Sequence, residues 1–186
     1  MPSQTEEHHL DAERIVAVLA RHHVEYLVVG AVAAQLHGAS RPTHDLDCVA
    51  STTADNLDRL AAALRELDAR PRVHGLTDDE ARQLPLPLDG DMLSRMETST
   101  WRTDAGDLDV LTHLPDRHGQ RLDYDDLTAR STNATIEGIT VRVAALDDVI
   151  GSKEWVGRPK DLSALAELYE IRDSERRPME WPGLDL

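Results

Sequence analysis

The sequence predicts an α/β (α+β) fold: a small mixed β-sheet flanked by helices, followed by a helical C-terminal extension. Three observations carry this reading. Short β-branched or alternating runs at 24–30, 45–50, 98–103 and 107–111 have the length and pattern of strands. Two turn signals, Asp104-Ala105-Gly106 and Glu137-Gly138, stand between such runs at hairpin spacing. From Leu146 onward the pattern is helical.

Taken in order, residues 11–22 open with an N-cap candidate, Asp11, and place Ile15, Val16 and Leu19 on one helical stripe. VEYLVVG (24–30) reads as a buried strand closed by Gly30, and AVAAQLHG (31–38) as a short helix ended by Gly38 at its C′ position. Pro42 biases Arg41 away from helix, which makes 39–44 a loop, and DLDCVA (45–50) then alternates as a strand. The clearest helix covers 53–67, with Leu57, Leu60, Ala61, Leu64 and Leu67 at helical spacing. Pro, Gly and acids without lasting periodicity mark 70–95 as a long surface connection with a single turn of helix. A hairpin over 98–111, a short helix over 124–130 and a second hairpin over 134–144 follow. The helices after Leu146 break at 157–159, and the tail from Ser174 is expected to be loosely held. The expected organisation is a core over 1–145 with a helical extension, 146–186, packed on it.

With 186 residues, 40% of them apolar, the chain supports a real core and is not wholly disordered. No run approaches the roughly 18 apolar residues of a membrane span. The acidic start MPSQTEEHHLDAER has no signal-peptide pattern, so a soluble, cytoplasmic protein is expected. The single cysteine, Cys48, excludes an internal disulfide framework and a multi-cysteine zinc site. A net charge of −15 repels nucleic acid, so an RNA partner needs a local basic patch. Lysine occurs only at Lys153 and Lys160, within one short segment. With 3% aromatics and no Phe, a stacking platform for single strands is disfavoured.

The chemistry centres on Asp45-Leu46-Asp47. Alternate residues of a strand share a face, so the two carboxylates lie side by side while Leu46 and Cys48 face the core. At about 5 Å and an effective dielectric near 20 the pair repels by about 3 kcal/mol, which calls for a cation. Mg²⁺ suits it, because it takes one or two carboxylates and completes its shell with water and substrate phosphates. Upstream, a strand ending at Gly30 and passing into a helix turns backbone N–H groups toward a phosphate. The loop before Asp45 offers Ser40, Arg41 and Thr43 as triphosphate contacts. In GDLDVL, Asp107 and Asp109 share a face of an otherwise apolar strand, where an acid needs a partner. Asp109 is favoured as the third carboxylate, since Gly106-Asp107 can belong to the turn. Three such acids form a cage for two Mg²⁺ ions that clamp an in-line phosphoryl transfer. In GSKEWVGRPKD, Lys153, Arg158 and Lys160 make a positive island on an acidic chain, with Lys153 a compact point charge for phosphate.

The stretch GAVAAQLHGASRPTHDLDCV resembles the signature of nucleotidyltransferases of the DNA polymerase β superfamily: a glycine turn, a short helix and Asp-x-Asp on a strand. With GDLDVL, EGITVRVAALDDVIGSKEW and GRPKDLSALAEL it is similar in layout to the AbiEii/MenT-type nucleotidyltransferase toxins of bacterial toxin–antitoxin systems, over residues 24–170. This resemblance implies a nucleotidyltransferase core that uses Mg²⁺ and an NTP to add NMP to the 3′ end of tRNA, blocking aminoacylation and translation. It also implies a cognate antitoxin protein as partner, the bacterial cytoplasm as location and no role for a membrane.

Residue by residue, the resemblance implies Asp45 and Asp47 as the metal pair and Asp109 as the third acid, a general base or second-metal ligand. Ser40 and Arg41 fall near the triphosphate, Lys153 points to the nucleotide phosphates and Asp161 is the acid that follows it. Ala31 departs from the Gly-Gly or Gly-Ser of many relatives, which makes Ser40 the expected hydroxyl donor. Arg158 and Lys160 are the expected RNA contacts. Two rival readings are a nucleotidyltransferase acting on a small-molecule (aminoglycoside-like) or protein hydroxyl, and a catalytically silent nucleotide-binding module.

Overall fold

The computed structural model describes residues 9–176; residues 1–8 and 177–186, including most of the tail expected to be loose, lie outside it. Helix α1 (Ala12–Arg21) begins at Asp11, whose side chain accepts from the Arg14 N–H, and buries Ile15, Val16 and Leu19. Strand β1 (Tyr26–Val29) passes straight into α2 (Gly30–Leu36), and β2 (Asp45–Ala50) returns antiparallel beside β1. Next come α3 (Ala54–Glu66), the edge strand β3 (Arg70–Pro71), and the short helices α4 (Asp78–Arg82) and α5 (Gly90–Ser94). The hairpin β4 (Thr98–Thr103) and β5 (Gly106–Leu111) leads to a two-residue ribbon, β6 (Leu114–Pro115) and β7 (Arg121–Leu122). Helix α6 (Tyr124–Thr128) precedes the hairpin β8 (Thr132–Ile136) and β9 (Ile139–Val143), and the described chain closes with α7 (Leu146–Val156) and α8 (Pro159–Glu175).

Seven strands form one mixed sheet in the order β3-β4-β5-β2-β1-β9-β8. The pairs β2–β5 and β1–β9 are parallel and the rest antiparallel, giving the mixed α/β architecture expected from the sequence. Because alternate residues face opposite ways, the β3–β2 half of the sheet has two unlike sides. One side carries the row Pro71, Trp101, Leu108 and Leu46, with the last three 0–2% exposed in the core. The other carries two charged rows across four strands: Arg70, Arg102, Asp107 and Asp45; and, in line with Arg72 just beyond β3, Thr100, Asp109 and Asp47.

The strand expected over 24–30 ends at Val29, because Gly30 (φ +65°) is already the first residue of α2. The turn at 137–138 has both residues at positive φ, as a tight hairpin with the right-handed strand twist requires. The expected surface connection over 70–95 is corrected more substantially. It contains β3, α4 and α5, and Arg70 within it is 6% exposed. An Arg-Pro edge strand shows no lasting hydrophobic period, because what holds it is ionic: Arg70 binds Asp78 and Asp104. The ribbon β6–β7 is too short to show a period at all.

Candidate active site

The parallel register of β2 on β5 sets Asp47 beside Asp109 and Asp45 beside Asp107. Carboxylate oxygens of Asp45, Asp47 and Asp109 come within 4.8 Å of one another, and all three residues are half-buried. Asp107 is outside this group: its carboxylate accepts from Arg72 (2.7 Å) and Arg102 (3.1 Å). Asp109 also accepts from Arg72, at 2.8 and 3.0 Å to its two oxygens. The Thr43 hydroxyl donates to Asp45 Oδ1 at 2.7 Å and so sets the rotamer of the first carboxylate.

Gly30 makes the close approach of Asp47 possible. A Cβ at position 30 would stand 2.1 Å from Asp47 Oδ2, and the φ of +65° independently favours glycine. Burial, then the Asp45 and Asp109 carboxylates, push Asp47 up to about 7 against the pull of Lys160 and Lys153. Asp109 is also raised, by burial and by Asp45, although Arg72 draws it down. Three hard oxygen donors this close, with negative charge left uncompensated, fit a divalent cation such as Mg²⁺.

Beside the carboxylates lies a recess of about 300 Å³ between the α2–β2 region and α8. Gly30, Arg41, Thr43, Asp45, Asp47, Lys153, Arg158, Lys160 and Asp161 are among its lining. Buried Asp161 organises the cations: it accepts from Arg158 Nε at 2.6 Å and from Lys153 Nζ at 3.5 Å. Burial would raise its carboxyl, but Arg158 and Lys153 hold it below the usual range. Arg41 is docked on α8, donating to Ser163 Oγ at 2.5 Å and to the Lys160 carbonyl at 3.3 Å. A second recess of about 220 Å³ shares Gly30, Asp47, Lys153, Arg158 and Asp161, and its remaining wall is largely apolar: Val29, Leu111, Leu114, Pro115, Val149 and Val156.

Of the residues singled out from sequence, Asp109 belongs to the carboxylate group without lining either recess, and Ser40 belongs to neither. It is exposed, and its N–H donates to Glu167 Oε1 at 2.7 Å, because the loop it belongs to is tied down onto α8. Thr43 lines the recess but directs its hydroxyl to Asp45, and Asp161 meets the recess as the anchor of two cations. Sequence reasoning missed Arg72 and Arg102. A signal was present: Arg70 and Arg72 are two residues apart, the spacing of one strand face, although two short helices separate them from the β4–β5 hairpin.

No protein-family model and no curated protein matches this chain. Solved structures do. The lincosamide antibiotic adenylyltransferase LnuA, lincomycin-bound, is similar with a TM-score of 0.58 at 12% identity, covering 87% of this chain and 96% of its own. The antibiotic-resistance factor ANT(2'')-Ia has a TM-score of 0.54 at 13% identity, with 89% of each chain covered. Its complex with adenylyl-2''-tobramycin has a TM-score of 0.51 at 13% identity over 89% of this chain and 94% of that one. Identities this low speak for architecture alone, and the architecture of this chain is the nucleotidyltransferase fold.

Proposed function

We propose that this protein is a nucleotidyltransferase that moves NMP from an NTP to an acceptor hydroxyl. The observation that supports this best is the meeting of three carboxylates with a cation-lined recess across Gly30 and Asp47. Asp45 and Asp47 bind the metal, and Asp109, on the neighbouring strand, is placed to accept the proton of the attacking hydroxyl. Lys153 neutralises the triphosphate and the charge that builds on the leaving pyrophosphate. Gly30 keeps the approach to Asp47 open, Arg41 and Thr43 shape the recess wall, and Asp161 holds two of the cations at their posts. Mg²⁺, when bound, supplies Lewis-acid polarisation of the reacting phosphate and lowers the pKa of the acceptor hydroxyl.

The motif resemblance favours the 3′ end of tRNA as acceptor and a toxin neutralised by a cognate antitoxin. On that reading Arg158 and Lys160, both exposed at the recess, are the RNA contacts. A second reading, a small cationic acceptor, is favoured by the net charge of −15 and by the antibiotic-acting structural neighbours. Purified protein with each α-labelled NTP, Mg²⁺ and either tRNA or a panel of aminoglycosides and lincosamides separates them. Label on the tRNA 3′ end supports the first reading and label on a small molecule the second. Asp45→Ala lowers transfer at least about a thousandfold while leaving the protein folded. Label transfer that Asp45→Ala leaves intact overturns the catalytic account.

A further inference from the structure

Arg72 has no part in the reading above, yet its guanidinium lies against the reacting carboxylates. Its backbone is pinned to β4 from both sides: the Arg72 N–H donates to the Thr100 carbonyl at 2.9 Å, and the Thr100 hydroxyl donates to the Arg72 carbonyl at 3.4 Å. Thr100 is in register with Asp109 on the next strand, so the side chain of Arg72 crosses one strand and reaches the acids. There Nη1 donates to Asp107 Oδ2 at 2.7 Å, and Nη2 spans both oxygens of Asp109 at 2.8 and 3.0 Å. Arg102 joins from β4, donating to Asp107 Oδ1 at 3.1 Å and leaving Asp109 to Arg72.

We infer that Arg72 is a built-in monovalent substitute for one of the two ions expected from the sequence, so that the nucleotide-free protein takes a single divalent cation, on Asp45 and Asp47. The partners of the acids support this: Arg72 is bonded to both oxygens of Asp109, whereas the side chain that donates to Asp45 is the neutral hydroxyl of Thr43. A second divalent ion would share Asp109 with a guanidinium already bonded to both its oxygens. Its place is created when a triphosphate adds negative charge, and until then Arg72 keeps the Asp109 carboxylate oriented. Arg72 is thus a positioning residue for Asp109, and the inference rests on the nucleotidyltransferase reading only in taking the site as a divalent one.

The test is the number of Mn²⁺ ions bound by the nucleotide-free full chain, counted by electron paramagnetic resonance of the free ion and by calorimetry, with circular dichroism as a fold check. Wild type is expected to bind one ion and Arg72→Gln two. Arg72→Lys, which restores the positive charge, is expected to return the count to one. Arg102→Gln removes the same charge from the same sheet face without touching Asp109, and leaves the count at one. Two ions in the wild type, or one in a folded Arg72→Gln protein, overturns the role of Arg72 and leaves the transfer reading standing. No Mn²⁺ bound by any variant overturns the metal reading as well.

Discussion

Position 30 concentrates two demands that a single residue type meets. The backbone turns from strand to helix at φ +65°, and the space a side chain would fill is taken by a carboxylate oxygen of Asp47. Gly30→Ala adds a left-handed Ala and a sub-van der Waals contact, so a stability loss of about 1–3 kcal/mol is expected in urea unfolding. Because the clash falls on Asp47, the same variant is expected to weaken Mn²⁺ binding at least about tenfold, which calorimetry measures. A loss of stability with unchanged Mn²⁺ affinity would show that Asp47 is not a ligand. Thr43 and Asp161 act one bond removed, through Asp45 and through the Lys153–Arg158 pair respectively.

The element that most changes the picture of the site is the short edge strand β3, which brings Arg70 and Arg72 onto the sheet. Arg70 and Arg102 converge on Asp78 at the start of α4, at 2.5–3.2 Å. Burial would raise the Asp78 carboxyl, but these guanidinium groups hold it below its ordinary value of 3.8. A carboxyl lowered in the folded state contributes stability that is full above the unfolded value and disappears as pH falls through the folded one. Asp78→Asn is therefore expected to cost about 1–2 kcal/mol at pH 7, since Arg70 keeps Asp104 as a partner. The gap to wild type is expected to start narrowing as pH falls below about 4. Denaturant titrations at pH 7 and pH 3.5 check this, and a gap that widens in acid contradicts it.

At the scale of the whole molecule, one sheet separates two chemistries. Its apolar side, with Leu46, Leu108 and Trp101 almost fully enclosed, supplies the burial that holds its acidic side together. Leu108 lies between the two charged rows on the central parallel pair, so Leu108→Ala is expected to cost about 2–5 kcal/mol, read as a lower urea midpoint at unchanged slope. A cost below about 1 kcal/mol would mean that the sheet is not held from this side. Helices α7 and α8 complete the other wall of the site by carrying Lys153, Arg158 and Lys160 to within the field of Asp47. Among the described residues no helix is long and apolar enough to cross a membrane.

Most elements were legible because they obey local periods: the strand alternation of 45–50 and 107–111, the helical spacing of 53–67, and the glycine turns. Asp45 and Asp47 were legible for the same reason, since period two alone puts them on one face. Asp109 was legible as an acid in an apolar strand, but its choice over Asp107 depended on the register of β5 against β2, which sets Asp109 beside Asp47 and within reach of Asp45. By itself the sequence determined the order of the elements that carry a local period and the shared face of Asp45 and Asp47, because both follow from local backbone geometry. The tertiary structure alone decided that Arg72 reaches Asp109, that Ser40 is drawn onto α8 and that Asp161 serves two cations. The Arg72 and Ser40 contacts join residues far apart in the chain and those of Asp161 bridge the break between two helices, and contacts of neither kind leave a periodic trace.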